Sequence, residues 1–185
     1  EMIMQEDGEW FHSTTPYGHL FHAELFPAAE NTGKLVTAVK QNAKLYAEDH
    51  QLSLMIVDGP PGIGCPVISA SAGADLALLV AEPGVSGIHD LQRVMKTVAH
   101  FNIPALICIN KTGLSAKSEE AIRSLAQENH IKIAGEIPFD TAIPAAMLAG
   151  KPITRFAPDG AAAKALRKIW ENVREALSPG GQHDT

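Results

Sequence analysis

Apolar residues along the chain fall into two alternating rhythms. Four short runs, Leu52–Val57, Leu76–Ala81, Ala105–Ile109 and Ile131–Ile137, are rich in Val, Ile and Leu and do not alternate cleanly with polar positions. Runs of this kind read as strands covered on both faces. Between and beyond them, apolar positions return at helical spacing. Leu35, Val39, Ala43 and Tyr46 share one helical face, Ile88, Leu91, Met95 and Val98 a second, and Ile122, Leu125 and Ala126 a third. Leu166, Ile169, Val173 and Leu177 mark a last helix, entered through Pro158-Asp159-Gly160 and ended at Ser178-Pro179-Gly180. Strand and helix alternating at this spacing predict an α/β fold with a doubly wound, mainly parallel sheet and right-handed crossovers.

Residues 1–30 follow another pattern. Trp10–Thr14 and Leu20–Leu25 read as strands joined through Pro16-Tyr17-Gly18, with Phe21, Ala23 and Leu25 alternating against His22 and Glu24. They predict a strand pair at a sheet edge, or a strand leading into the main sheet. The whole chain, 1–185, reads as one domain with a flexible tail over 178–185. Its first residue is Glu, so it reads as an excerpt of a longer protein.

Charge and composition narrow the function classes. The net charge is −6 and no basic cluster stands out, which argues against a nucleic-acid partner. No apolar run approaches the ~20 residues that span a bilayer, so no integral membrane segment is expected. The two cysteines, Cys65 and Cys108, lie in different segments, which argues against a disulfide framework and points to a reducing cytoplasm. Cys65 reads as a small packing residue. His19 and His22, three apart on a strand, face opposite ways and make no metal pair.

Ligands of open α/β sheets bind beyond the carboxyl ends of the strands, so the residues there carry the candidate chemistry. Asp58 follows the first run and leads into Gly59-Pro60-Pro61-Gly62-Ile63-Gly64. A carboxylate at a strand end can hold Mg²⁺ through its water shell. Glycine just after it lets a backbone N–H approach a phosphate. The same residues also suit a capped strand and a tight turn. Pro66 sits where a short helix, Val67–Gly73, would begin. Glu82-Pro83-Gly84-Val85-Ser86 follows the second run, with Ser86 as the expected helix cap. Asn110-Lys111-Thr112-Gly113 follows the third. The Asn110 amide offers donor and acceptor together to a purine edge. The guanine-reading version of such a loop has aspartate where Gly113 stands, so adenine is the better expectation. The fourth run leads to Pro138, Phe139 and Asp140, where backbone groups can border a purine and Asp140 can equally cap the next helix. Asn31-Thr32-Gly33-Lys34 opens a helix whose first turn can attract an anion, or where Lys34 is simply exposed. No phosphate loop of the form G-x-x-x-x-G-K-[ST] occurs.

Taken in order, these segments resemble the MinD/ParA/Mrp group of P-loop ATPases. The resemblance runs from about Gly18 to Phe156 and rests on four stretches. They are MIVDGPPGIGCPV from Met55, ADLALLVAEPGVSGIHDL from Ala74, Cys108-Ile109-Asn110-Lys111, and GEIPFDTAIPAAMLAGKPI from Gly135. It is strongest to members with a ferredoxin domain inserted in the nucleotide-binding fold, through Ala23-Glu24-Leu25 and Asn31–Thr37. The resemblance implies ATP binding with Mg²⁺, hydrolysis in a nucleotide-gated homodimer, and an iron–sulfur or redox partner. Asp58 would hold the Mg²⁺ water shell. Gly62 would sense the γ-phosphate, Asn110 would contact adenine with Pro138 and Asp140 lining the base pocket, and Gly59, Pro60 and Lys111 would be further nucleotide-binding residues. The family's K-G-G-x-G-K-[ST] loop, its strand and the cluster-binding ferredoxin are absent here. The chain is therefore expected to be the C-terminal portion of such an ATPase, inactive alone because phosphoryl transfer needs the lysines of that loop. A non-catalytic partner-binding or dimerising module of the same fold is one alternative. Part of an ATP-dependent amidoligase resembling cobyrinic acid a,c-diamide synthase is another.

Overall fold

A β-hairpin opens the described chain. The computed structural model describes residues 8–26, 33–60, 62 and 64–178. Asn31, Thr32, Pro61, Ile63 and the expected tail beyond Ser178 lie outside them. Two compact units organise the chain, Glu1–Ala72 and Gly73–Thr185.

In the first unit, β1 (Gly8–Thr15) and β2 (Gly18–Leu25) pair antiparallel, with Trp10 opposite Ala23 and His12 opposite Phe21. This is the strand pair expected from the alternation of Phe21, Ala23 and Leu25. Helix α1 (Lys34–Asp49) follows, then α2 (Cys65–Ser71). His12, His19 and Phe21 gather around the Tyr46 ring of α1, and Tyr46 Oη lies 3.2 Å from His19 Nε2. Gly33 starts α1 in a left-handed conformation, φ 79°. A Cβ there would lie 2.7 Å from Ser69 Oγ and 3.0 Å from the Cys65 carbonyl oxygen of α2. Glycine is thus required twice, for the dihedral and for the close approach of two helices. The Lys40 ammonium fastens the same pair. It donates to the carbonyls of Ala70 and Ala72, each at 2.6 Å, and to that of Ser69 at 3.4 Å. These are helix-end carbonyls otherwise lacking partners. Burial lowers the pKa of that amine, and Lys44 adds to the effect.

Leu52–Val57 does not form the expected strand. It runs without a ladder, and Leu52, Leu54, Met55, Ile56 and Val57 are exposed, Ile56 by 76%. Strand pairing needs a neighbour's N–H and C=O groups at ladder distance. A groove of ≈ 930 Å³ is lined by residues of β2, α1 and the Leu52–Asp58 segment.

The second unit contains the parallel sheet. β3 (Ala77–Ala81), β4 (Ala105–Thr112) and β5 (Lys132–Pro138) lie in the order β3-β4-β5. Each crossover is a helix: α3 (Val85–His100) between β3 and β4, α4 (Ala116–Glu128) between β4 and β5. Three more helices follow, α5 (Ala142–Leu148), α6 (Ile153–Phe156) and α7 (Ala161–Leu177). Alternation along β4 sorts the core into two halves. Ile107 and Ile109 pack with Leu91, Met95 and Val98 of α3 and Ile122 and Ala126 of α4. Leu106 and Cys108 pack with Ala162 and Ile169 of α7, flanked by Ile143 and Ile153. Helices on both faces of a parallel sheet are the doubly wound arrangement expected from the sequence. Ile107 and Ile109 are fully buried, which is worth about 1.5–3 kcal/mol for each side chain. On β3 only one face is covered; Leu78 and Val80 are 39% and 60% exposed.

Candidate functional site at the carboxyl ends of the strands

The end of β4 turns sharply. Lys111 and Gly113 take positive φ, 57° and 94°, and the ladder to β5 slips between Ile109 and Thr112 before Thr112 pairs with Pro138. Phe139 N–H then donates to the Thr112 carbonyl at 2.8 Å. Sequence register and this hydrogen bond bring Asn110, Lys111, Pro138 and Asp140 to one end of the sheet. The Asn110 side-chain oxygen accepts from its neighbour's backbone, Lys111 N–H, at 3.0 Å. Its amide nitrogen has no hydrogen-bond partner among the described residues.

Salt bridges and hydrogen bonds cross-tie the loops around that end. Lys111 Nζ lies 2.6 Å from Glu82 Oε1, joining the end of β4 to the loop after β3. Glu119 of α4, 8% exposed, accepts from Gly113 N–H at 2.8 Å and Ser115 N–H at 3.4 Å. Arg123, one turn on, lies 3.5 Å from the other Glu119 oxygen and donates twice to Glu136 of β5, each at 2.9 Å. The hydrogen bond to Glu136 is the chief cause of an Arg123 pKa above its ordinary range. Sequence reasoning did not single out Glu119, Arg123 or Glu136. The available signal was Ser115, a helix cap that accepts from Ser118 N–H, with an acid one residue past the usual capping-box position.

Two expected caps shift. Helix α3 begins at Val85, with Gly84 as its cap, so Ser86 falls inside the first turn. The extended backbone of Gly84 leaves its carbonyl free to accept from Ile88 N–H at 3.0 Å. Asp140 does cap: its carboxylate accepts from Ala142 N–H at 2.8 Å, although Thr141 holds the boundary position.

The remaining candidates, Asp58, Gly59, Pro60 and Gly62, belong to the first unit. Asp58 and Gly59 are exposed, and Gly62 has φ 94°, a region that favours glycine. The Asp58 carboxylate makes no ion pair or side-chain hydrogen bond among the described residues, so its oxygens are free to meet the waters of a hydrated cation. No cluster of three or more His, Cys, Asp or Glu able to hold a metal occurs among the described residues. Lys34 is exposed at the start of α1. Cys65 is exposed rather than packed, because it opens α2 where the following Pro66 and Val67 turn inward; Cys108 is the buried cysteine.

The model of one P-loop NTPase family, described as ParA, the NUBPL iron-transfer P-loop NTPases, matches residues 32–174. The chain belongs to this family. An uncharacterised protein of Methanocaldococcus jannaschii is 31% identical over 177 residues, covering 96% of this chain and 58% of that protein. An Arabidopsis thaliana protein named as an iron–sulfur protein required for mitochondrial NADH dehydrogenase is 27% identical, covering 68% of this chain and 44% of its own. The chain thus spans about half the length of the curated relatives it matches. Among solved structures, MinD of Pyrococcus horikoshii, complexed with Mg-ADP, superposes with a TM-score of 0.64 at 22% identity. That match covers 85% of this chain and 61% of that one. At this identity the likeness speaks for the fold, and the fold is that of the MinD/ParA ATPases.

Proposed function

We propose that this chain is the C-terminal portion of a MinD-like ATPase that works with an iron–sulfur or redox partner protein and acts as a homodimer. The observation that carries the reading is the hydrogen bond from Phe139 N–H to the Thr112 carbonyl. It lashes the Asn110 loop to the Pro138–Asp140 segment, so an amide with an open donor stands beside the backbone groups that would border a purine. Adenine satisfies an Asn amide through its N7 acceptor and N6 donor. Guanine lacks the carboxylate it would need at Gly113. In this reading Asn110, Lys111, Pro138 and Asp140 serve the base, while Asp58, with Gly59, Pro60 and Gly62, serves the Mg²⁺ water shell and the γ-phosphate. The metal, when bound, would neutralise charge developing on the phosphates. The chain's own residues hold and orient; the cationic groups that phosphoryl transfer requires are supplied from elsewhere. The Leu52–Val57 run supports that division, since this apolar segment ending in Asp58 pairs with no strand among the described residues. The iron–sulfur link rests on the family's description and on the name of the Arabidopsis relative.

The test is calorimetric titration with Mg·ATP of this chain and of the full product of its reading frame, with turnover measured on the latter. The full product is expected to bind and hydrolyse ATP, and Asp58→Ala to abolish hydrolysis while retaining nucleotide. Tight binding by the 185-residue chain alone would overturn the claim that it is a portion. Unchanged turnover in Asp58→Ala would overturn the role of that carboxylate.

A further inference from the structure

We infer that Glu119, braced by Arg123 and Glu136, is a positioning residue for base selection. It sets the Asn110 loop without touching the ligand. The inference rests on the adenine reading given above and extends it to residues outside the pocket.

The ladder from β4 to β5 is interrupted between Ile109 and Thr112, Lys111 inside the strand and Gly113 just past it take positive φ, and α4 begins only at Ala116. A segment bent in this way has backbone N–H groups pointing inward that neither a ladder nor a helix satisfies. Glu119 satisfies two of them with one oxygen, from Gly113 and Ser115. Its other oxygen faces Arg123 at 3.5 Å. Arg123 in turn grips Glu136 through two parallel donors, a fixed planar geometry that lysine cannot reproduce. Glu136 lies two residues before Pro138 on β5. The network therefore runs beneath both segments that flank the proposed base, tying α4 to one and β5 to the other. With Lys111 held to Glu82 and the Thr112 carbonyl held to Phe139, the loop is pinned at four successive points: side chain, carbonyl, N–H and N–H.

Two consequences for selectivity follow. The Asn110 side-chain oxygen accepts from Lys111 N–H, a contact set by the torsions of Asn110 itself, and Lys111 then makes the left-handed turn that aims the rest of the segment. Pinning Gly113, two residues on, holds that turn. In addition, both carboxylates beneath the loop are engaged, Glu119 by backbone N–H groups and Arg123, Glu136 by Arg123. Both are held in place by these contacts rather than offered from the position of Gly113, where a carboxylate would meet the N1–H and amino group of guanine, so the segment favours adenine by what it withholds as well.

The test measures affinities of the full product of the reading frame for ATP, GTP and inorganic tripolyphosphate, in wild type and in Glu119→Ala, Glu119→Gln and Arg123→Met. Glutamine keeps an oxygen for both N–H groups, so Glu119→Gln should hold wild-type ATP affinity within roughly 3-fold. Glu119→Ala leaves both groups unpaired and should weaken ATP by roughly 10-fold or more, with tripolyphosphate unchanged and the ATP-to-GTP preference narrowed. Arg123→Met should fall between them. If Glu119→Ala does not fold, the contrast between Glu119→Gln and Arg123→Met carries the test. Parallel loss of ATP and tripolyphosphate would mean a general structural role and overturn the inference. So would equal ATP affinity in wild type, Glu119→Ala and Arg123→Met. A wild type that binds ATP no better than tripolyphosphate would remove the adenine reading itself, and this inference with it.

Discussion

The Cys108 thiol gives the sharpest physical test of the core. It lies 2% exposed on the central strand, between Leu106 and the α7 residues Ala162 and Ile169. Burial disfavours the thiolate and raises the pKa from 9.0 to about 11. Because the folded value is the higher one, the unfolded chain loses its proton first as pH rises. The thiol's contribution is therefore whole below pH 9 and drains away as pH climbs through about 11. A gap of that size corresponds to ~2.7 kcal/mol of stability. Cys108→Ala removes the ionisation and leaves a small void, costing about 1 kcal/mol at neutral pH. The expected result is a crossing: the variant is less stable near neutrality and matches or exceeds the wild type at about pH 11. Urea unfolding of both proteins, extrapolated linearly to water at about pH 8 and about pH 11, measures it. Every other ionisable group is common to both proteins and cancels in the difference. Stability curves that stay parallel across this range would refute the argument.

Two further outcomes follow from the same structure. A thiol reagent at neutral pH should label Cys65 alone in the folded protein, and both cysteines in denaturant, since one is exposed and the other buried; mass spectrometry of the labelled chain reads this directly. Gly33→Ala should destabilise by about 1–3 kcal/mol, because the new Cβ would press on Ser69 Oγ and the Cys65 carbonyl from a left-handed backbone; a lowered urea midpoint with unchanged slope is the expected signature.

Much of the fold was legible because the parallel sheet leaves a plain mark. Residues Leu106 to Ile109 are all buried, alternately toward α3 and α4 and toward α7, and an unbroken apolar run is what that double cover selects. The same mark misled at Leu52–Val57. An apolar run records that a segment is suited to a sheet interior, but ladder bonds depend on a neighbour, which composition does not encode. The positions of the strand-end candidates were legible: Asn110 and Pro138 follow apolar runs and come to the same end of the sheet because β4 and β5 are adjacent, with Thr112 paired to Pro138 past a register shift. Glu119 was not, because its part depends on reaching back six residues to an N–H that points inward only after Lys111 and Gly113 have turned. Nor was the start of α3, where Gly84 caps with a backbone carbonyl while Ser86, the better capping side chain, lies two positions further along.

The cross-ties at the carboxyl end of the sheet have a thermodynamic consequence. Glu82, Glu119 and Phe139 already hold the Lys111–Ser115 segment by an ion pair and three hydrogen bonds, so a nucleotide at the proposed base pocket would find those contacts made. Association should proceed close to lock-and-key, with an on-rate set by encounter rather than by loop closure. Its heat-capacity change should reflect the surface covered by the ligand alone, without the additional term that accompanies coupled folding.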